Sequence, residues 1–185
     1  MEVGAQEEIQ AYVLARFEGS GSRLCKELRG QEFGQQITFV DVTFGRFDLF
    51  LIIRTTSLKS LQNLVTNYLC TREDVTETVT LIPFEFRMER LEDEICRKNI
   101  AILLGNAKSP NFGIIMSRLK EMQKNGEIIM AQDILGPYDF IVFIELKSSL
   151  HELGIFISNK IRTIPGVENT MTLLTCGSGL SEQNG

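Results

Sequence analysis

Two hydrophobic rhythms alternate along this chain: short apolar runs of strand length, and apolar positions three and four apart. AYVLARF (residues 11–17) reads as a strand, SRLCKEL as a short helix ending near Gly30, and ITFVDVTF (37–44) and FDLFLIIR (47–54) as two more strands. In SLKSLQNLVTNYL the apolar positions Leu58, Leu61, Leu64, Val65 and Leu69 predict an amphipathic helix, with Ser57 as its cap. VTETVTLI (75–82) alternates β-branched residues and closes this half as a strand.

The second half repeats the order. IAILLGN predicts a strand, NFGIIMSRLKEMQ a helix, EIIMAQDIL and YDFIVFIELK two strands, SLHELGIFISNKI a helix and VENTMTLL a last strand. GRFDLFLII begins at Gly45 and GPYDFIVFI at Gly136, 91 residues later. Ser57-Leu58 matches Ser149-Leu150, and VTETVTLI matches VENTMTLL at a spacing of 92, so one residue separates the two registers. A repeat at half the chain length indicates internal duplication. Each half then has the strand-helix-strand-strand-helix-strand order of a ferredoxin-like βαββαβ unit. The expected organisation is a first repeat over 9–84, a charged linker over 85–98, a second repeat over 99–176 and a disordered Gly- and Ser-containing tail over 177–185.

The Gly-x-aromatic-Asp segments predict tight hairpins. Two residues separate Phe44 from Phe47 and Leu135 from Tyr138, and a two-residue loop with Gly first is the type II′ signature. That loop sets Phe44 opposite Phe47 and Thr43 opposite Asp48. Alternation along the next strand places Phe47, Leu49, Leu51 and Ile53 on one face, to lie under helices, and Asp48, Phe50, Ile52 and Arg54 on the other. In the second half Tyr138, Phe140, Val142, Ile144 and Leu146 oppose Asp139, Ile141, Phe143, Glu145 and Lys147. A helix-free face carrying Phe50, Ile52, Ile141 and Phe143 is too apolar to face water. The fold class expected is therefore α+β, with two antiparallel four-stranded sheets packed face to face and the helices outside.

Composition narrows the function. The chain has 185 residues, a formal net charge of −5 and 43% hydrophobic residues, ordinary for a globular protein and too acidic for a free-standing nucleic-acid binder. No apolar run is long enough to span a bilayer, and MEVGAQEEIQ is acidic and polar where a secretory signal has a basic start, so a cytoplasmic location is expected. Cys25, Cys70, Cys96 and Cys176 lie far apart without metal-site spacing and read as reduced thiols. His151, the single histidine, lies in a helix beside Glu152. With no Gly-rich phosphate loop and no paired Cys/His, neither a metal, a cofactor nor an enzymatic activity is expected. Met116, Met122 and Met130 read as core residues.

The repeated hairpin, the apolar strand after it, the Leu-spaced helix and the closing Val-x-x-Thr-x-Thr-Leu strand together resemble the effector-binding (RAM) domain of the Lrp/AsnC feast/famine regulators. The resemblance covers residues 9–84 and 99–176 and implies two such domains fused in one chain. It also implies a small-molecule effector, an amino acid, bound near the hairpin between the second and third strands where dimers meet, and partners that are further copies or other Lrp/AsnC-type proteins. The family's DNA-reading helix-turn-helix domain has no counterpart in this sequence, so direct nucleic-acid binding is not expected. The hairpin positions that match are Gly45, Phe47, Asp48, Gly136, Tyr138 and Asp139, and the bordering last-strand residues are Thr78, Thr80, Thr170 and Thr172. Each has a structural alternative: an Asp beside a turn satisfies backbone N–H groups, and Thr is a good strand residue. Arg46 can meet a ligand carboxylate or simply be a solvated turn residue. Three other functions stay open: an adaptor that pairs with full-length regulators and binds no ligand, an ACT-type regulatory pair, and an enzyme on a ferredoxin-like scaffold related to the haem-pathway decarboxylases.

Overall fold

A computed structural model describes residues 8–19, 21–30, 36–84, 95 and 98–177. The first half runs β1 (Ile9–Phe17), α1 (Gly21–Gly30), β2 (Ile37–Phe44), β3 (Leu49–Thr55), α2 (Leu58–Gln62) and β4 (Val75–Pro83). The second runs β5 (Ile100–Ala107), α3 (Phe112–Lys124), β6 (Met130–Leu135), β7 (Phe140–Glu145), α4 (Leu150–Phe156) and β8 (Val167–Thr175). Thus each half has the strand and helix order that its hydrophobic pattern predicts. Apart from Ile95, Lys98 and Gly177, the expected linker and tail lie outside the described residues. No described helix is long and apolar enough to cross a membrane.

Ser57 and Ser149 cap α2 and α4, each accepting from the backbone N–H three residues on, at 3.2 Å. Both helices then widen into π-helix, over Asn63–Leu69 and Ile157–Ile161. Cys70 N donates to Val65 O and Arg162 N to Ile157 O, each at 2.9 Å and five residues apart. Spacing alone predicted an ordinary α-helix. The wider turn instead lets Leu64 and Leu69, five residues apart, both be buried, while Leu58 is left 61% exposed.

All eight strands join one antiparallel sheet, closed in the order β1-β3-β2-β8-β5-β7-β6-β4. Here the structure corrects the sequence reading. Two separate sheets packed face to face were expected, but the sheet edges meet and hydrogen-bond. Thr43 and Phe44 of β2 pair with Thr175 and Leu174 of β8, and Ile82 and Pro83 of β4 pair with Leu135 and Ile134 of β6. Closure satisfies edge donors and acceptors that two sandwiched sheets would leave bare.

Three apolar cores follow. The barrel interior joins both halves through Tyr12, Leu14, Phe50, Ile52, Ile102, Leu104, Ile141, Phe143 and Leu173. The rings of Phe50 and Phe143, one from each half, have centroids 5.9 Å apart in an edge-on contact. A second core lies under α1 and α2, around Val13, Leu28, Leu51 and Leu64, and a third under α3 and α4, around Leu103, Leu119, Val142 and Ile161. Met116, Met122 and Met130 are buried as expected. Of the positions assigned to the helix-covered face, Phe47 and Tyr138 depart from alternation. Both pack against the barrel interior rather than under helices, because the chain bends through residues 45–48 and 136–139 before β3 and β7 begin.

Phe50 is fully buried between the halves. Replacing it with alanine should lower the unfolding free energy by about 3 kcal/mol, read from the midpoint of a urea titration.

Candidate functional site

Gly45 and Gly136 have φ of +146° and +153°. A type II′ turn needs a first central φ near +60°, so the expected turn type is not the one formed, although the positive φ and the register hold. The cause is a close approach. A Cβ at Gly45 would lie 2.6 Å from Leu173 Cδ2 and 3.1 Å from Thr172 O, and one at Gly136 would lie 2.8 Å from Leu81 Cδ2 and 3.2 Å from Thr80 O. Each hairpin therefore rests on the last strand of the other half, at the carbonyl of Thr172 or of Thr80.

The two aspartates are anchored alike. Asp48 N donates to Ala15 O at 3.0 Å and Asp48 O accepts from Thr43 N at 2.8 Å, which confirms the Thr43–Asp48 register. Asp139 N donates to Gly105 O at 2.9 Å and Asp139 O accepts from Ile134 N at 3.0 Å. The carboxylates do matching work: Asp48 Oδ2 accepts from Phe17 N at 3.0 Å, and Asp139 Oδ2 from Ala107 N at 2.8 Å. The ladder register shifts between Arg16 and Phe17 in β1, and between Asn106 and Ala107 in β5. Such a bulge leaves a backbone N–H off the ladder, and the Asp side chain meets it. No pattern within β1 or β5 marks those bulges, since they arise against β4 and β8, some sixty residues away in the chain.

The threonines do not join the aspartates. Val79 and Leu81 in β4, and Met171 and Leu173 in β8, face the barrel interior, so alternation puts Thr78, Thr80, Thr170 and Thr172 on the opposite side. Thr78 Oγ1 lies 3.3 Å from Cys70 Sγ, and Thr170 Oγ1 accepts from Arg162 Nε at 2.8 Å. The hairpins also differ from each other. Arg46 Nη2 is 3.0 Å from Glu77 Oε1, with its guanidinium 5.4 Å from the Phe47 ring centroid. In the second hairpin, Pro137 O accepts from Asn106 Nδ2 at 3.0 Å, and Tyr138 O–H points to Met171 Sδ at 3.7 Å. Beside the seams, Phe44, Leu135 and Phe84 are 66%, 60% and 66% exposed.

A further asymmetry had no sequence signal. In the first half, Arg72 pairs with Glu27 at 3.0 Å and with Asp74 at 2.8 Å, tying α1 to the segment before β4. Hydrogen bonding from Arg72 holds the Asp74 carboxyl below the usual range. Glu27 is lowered first by Arg23 and then by Arg72. In the second half, a hollow of about 500 Å³ lies between α3 and the Ile157–Ile161 helix, lined by Arg118, Asn125, Asn159, Lys160 and Thr163 among others. His151 is exposed on α4. Among the described residues, no group of three or more His, Cys, Asp or Glu is placed to hold a metal ion.

No protein-family model and no curated protein matches the chain. Solved structures do. The chain is similar over 91% of its length to the siroheme decarboxylase NirDL, solved with an iron-uroporphyrin III analogue. The TM-score is 0.60 and the identity 8%, and 71% of that chain is covered, a likeness of fold. FFRP-DM1 is 30% identical over 42% of this chain and 97% of its own, with a TM-score of 0.37. The hypothetical protein PHS023 from Pyrococcus horikoshii is 28% identical over 46% of this chain and 95% of its own, also with a TM-score of 0.37.

Gly45→Ala and Gly136→Ala should each lower the melting temperature, because both a positive φ and a contact under 3.0 Å oppose a methyl group. Asp48→Ala should cost about 1.5 kcal/mol by leaving the Phe17 N–H without its acceptor, whereas Asp48→Asn keeps an acceptor and most of the stability. The Arg72 network sets a pH dependence. Both carboxyls are depressed in the folded state, so their contribution is complete above the unfolded pKa of about 4 and is lost as pH falls through the folded values. Arg72→Gln should flatten the fall in stability below about pH 4.5 in urea titrations repeated across pH.

Proposed function

We propose that this chain is a tandem ligand-sensing module of the Lrp/AsnC effector type, non-enzymatic and not itself DNA-binding. In this reading it is a fused pair of βαββαβ repeats that stands for a dimer in one polypeptide. The observation that carries it is the twice-built hairpin: Gly45 and Gly136 each rest on the other half's last strand, with Asp48 and Asp139 in matching surroundings. A small zwitterion, an amino acid, would place its ammonium group at one of these carboxylates. Binding there bears on the contact between hairpin and opposing strand. A ligand that prefers one arrangement of that contact shifts its population and with it assembly or partner docking. Since Pro137 and Arg46 make the two hairpins chemically different, the two positions need not bind equally.

One observation favours the adaptor reading, in which the module pairs with other Lrp/AsnC-type proteins and binds no ligand. Both Asp carboxylates already hold a backbone N–H, and exposed Phe44, Leu135 and Phe84 offer apolar surface for a partner near the seams. The likeness to a decarboxylase at 8% identity is one of fold and brings no chemistry to this chain.

Thermal shift against the common amino acids, followed by calorimetric titration, tests the sensing reading. Asp48→Asn or Asp139→Asn should weaken the responding amino acid roughly 10- to 100-fold, the effect of losing a charge-assisted hydrogen bond, with Asp48 the larger loss. If no amino acid binds the unaltered protein at millimolar concentration, the adaptor reading replaces it. A mobility shift at physiological salt should show no submicromolar complex with DNA, as a net charge of −5 implies.

A further inference from the structure

The two halves treat the space beside their helices in opposite ways. Leu24, Cys25 and Leu28 of α1 are buried, as are Ile115, Met116 and Leu119 of α3, 91 residues later, so Glu27 corresponds to Arg118. The five-residue hydrogen bonds that close the two π-helix segments come from Cys70 N and Arg162 N, 92 residues apart. Tyr68 therefore corresponds to Lys160, Arg72 to Ile164 and Asp74 to Gly166.

In the first half a guanidinium bridges this space. Arg72 reaches Glu27 of α1 at 3.0 Å, Asp74 at 2.8 Å and the Tyr68 hydroxyl at 3.5 Å. In the second half each of those groups is lost or reversed. Ile164 belongs to the core under α3 and α4, and a Cβ at Gly166 would lie 2.3 Å from Asn111 Cβ. Two cations, Arg118 and Lys160, stand where the first half has an acid and a tyrosine, and they line the hollow of about 500 Å³. Asn67 and Thr71 recur as Asn159 and Thr163, and each threonine hydroxyl bonds the asparagine carbonyl, at 2.9 and 2.8 Å. The local frame is kept, while the charge and the filling change.

The charges in the hollow are mixed. Arg118 pairs with Glu121 at 3.0 Å and Lys160 pairs with Glu127, and all four residues line it. The Arg118 and Glu121 side chains are 65% and 58% exposed, and exposed pairs of this kind contribute little to stability. Glu121 is met by Nη1 of Arg118, which leaves the Nε and Nη2 edge of the guanidinium for a second carboxylate with two parallel hydrogen bonds. A purely anionic ligand would meet two carboxylates here, and a purely cationic one two basic groups. A molecule with a carboxylate and a hydrogen-bond donor beside it satisfies both signs. Met122, Ile164 and Pro165 give its body an apolar lining.

We propose that this hollow is a binding site for a small carboxylate with an ammonium or hydroxyl group beside it and an apolar body. Arg118 and Lys160 hold the carboxylate, and Glu121 or Glu127 the donor. The site goes beyond the hairpin reading, because it lies elsewhere and stands whether or not Asp48 or Asp139 binds a ligand. The first half places Arg72 in the corresponding space, so one molecule per chain is expected.

The test is a titration of the isotope-labelled full chain, followed by backbone amide shifts in NMR spectra. Four probes share one carbon skeleton: leucine, α-hydroxyisocaproate, isocaproate and isoamylamine. Leucine or α-hydroxyisocaproate should shift amides within residues 118–127 and 157–165 and saturate at one molecule per chain. Whichever of the two responds identifies the donor as ammonium or hydroxyl. Isocaproate, without the donor, and isoamylamine, without the carboxylate, should bind at least about tenfold more weakly, as loss of a charge-assisted hydrogen bond implies. Arg118→Gln should weaken the responding probe roughly 10- to 100-fold. Lys120→Gln, on the same helix but outside the hollow, should leave binding unchanged. Both positions are exposed, and the variants' own spectra report that the fold is kept. The proposal is overturned if no probe at millimolar concentration moves these amides, if Arg118→Gln binds like the unaltered chain, or if isocaproate binds as well as the other two acids. Shifts confined to residues 45–48 or 136–139 overturn it and leave the hairpin reading standing, so the two fail separately.

Discussion

A four-stranded sheet with helices on one side has a second side to cover, and in each half of this chain that side is apolar. Phe50 and Ile52, Ile141 and Phe143 are fully buried only because the halves close on one another. Burying side chains of this kind is worth about 1.5–3 kcal/mol each, so a half left alone would expose several such terms at once. The remaining features follow from that closure. The barrel order brings β2 to β8 and β4 to β6. The short seams hold the edges, and the hairpins are pressed so tightly against the opposing strands that only glycine fits at Gly45 and Gly136.

The same closure explains why the aspartates are hard to read as purely functional or purely structural. A barrel needs its strands to bend, and the register shifts in β1 and β5 provide the bend at the cost of a stray N–H in each. Asp48 and Asp139 answer that need from the start of the next-but-one strand. A ligand at either carboxylate would then act directly on the bulge and on the hairpin that it steadies, which is how a small molecule could reach the whole assembly. The halves are alike in this framework and unlike elsewhere. Arg72 ties α1 to the segment before β4 in the first half, a hollow lies between α3 and the Ile157–Ile161 helix in the second, and Tyr12 reaches Gln132 across the interior.

The hydrophobic pattern carried much of this fold. Periods of two and of three-to-four, with serine caps before α2 and α4, locate every strand and helix described, and the repeat at 91 residues shows that the two halves share one order. The faces of β3 and β7 were legible for the same reason: alternation is a property of the strand alone. Legibility failed wherever the answer depended on a distant partner. Alternation could not see that Phe47 and Tyr138 turn inward, because the bend before β3 and β7 is set by the opposing strand. Leucine spacing did not show that α2 widens, because the wider turn is selected by what Leu64 and Leu69 bury against.

By itself, then, the sequence determined the element order, the register of each hairpin and the apolar character of the shared faces, all consequences of local sterics and of burial that any packing would reward. Only the tertiary structure decided that the faces meet inside a closed barrel, that each hairpin sits on the other half's last strand, and that the Thr78 and Thr170 hydroxyls turn to Cys70 and Arg162. It alone also set Tyr12 against Gln132 across 120 residues of chain. The physical reason is that edge hydrogen bonds and buried polar contacts are directional and join residues far apart in the chain, whereas hydrophobic periodicity is local and indifferent to which apolar surface covers it.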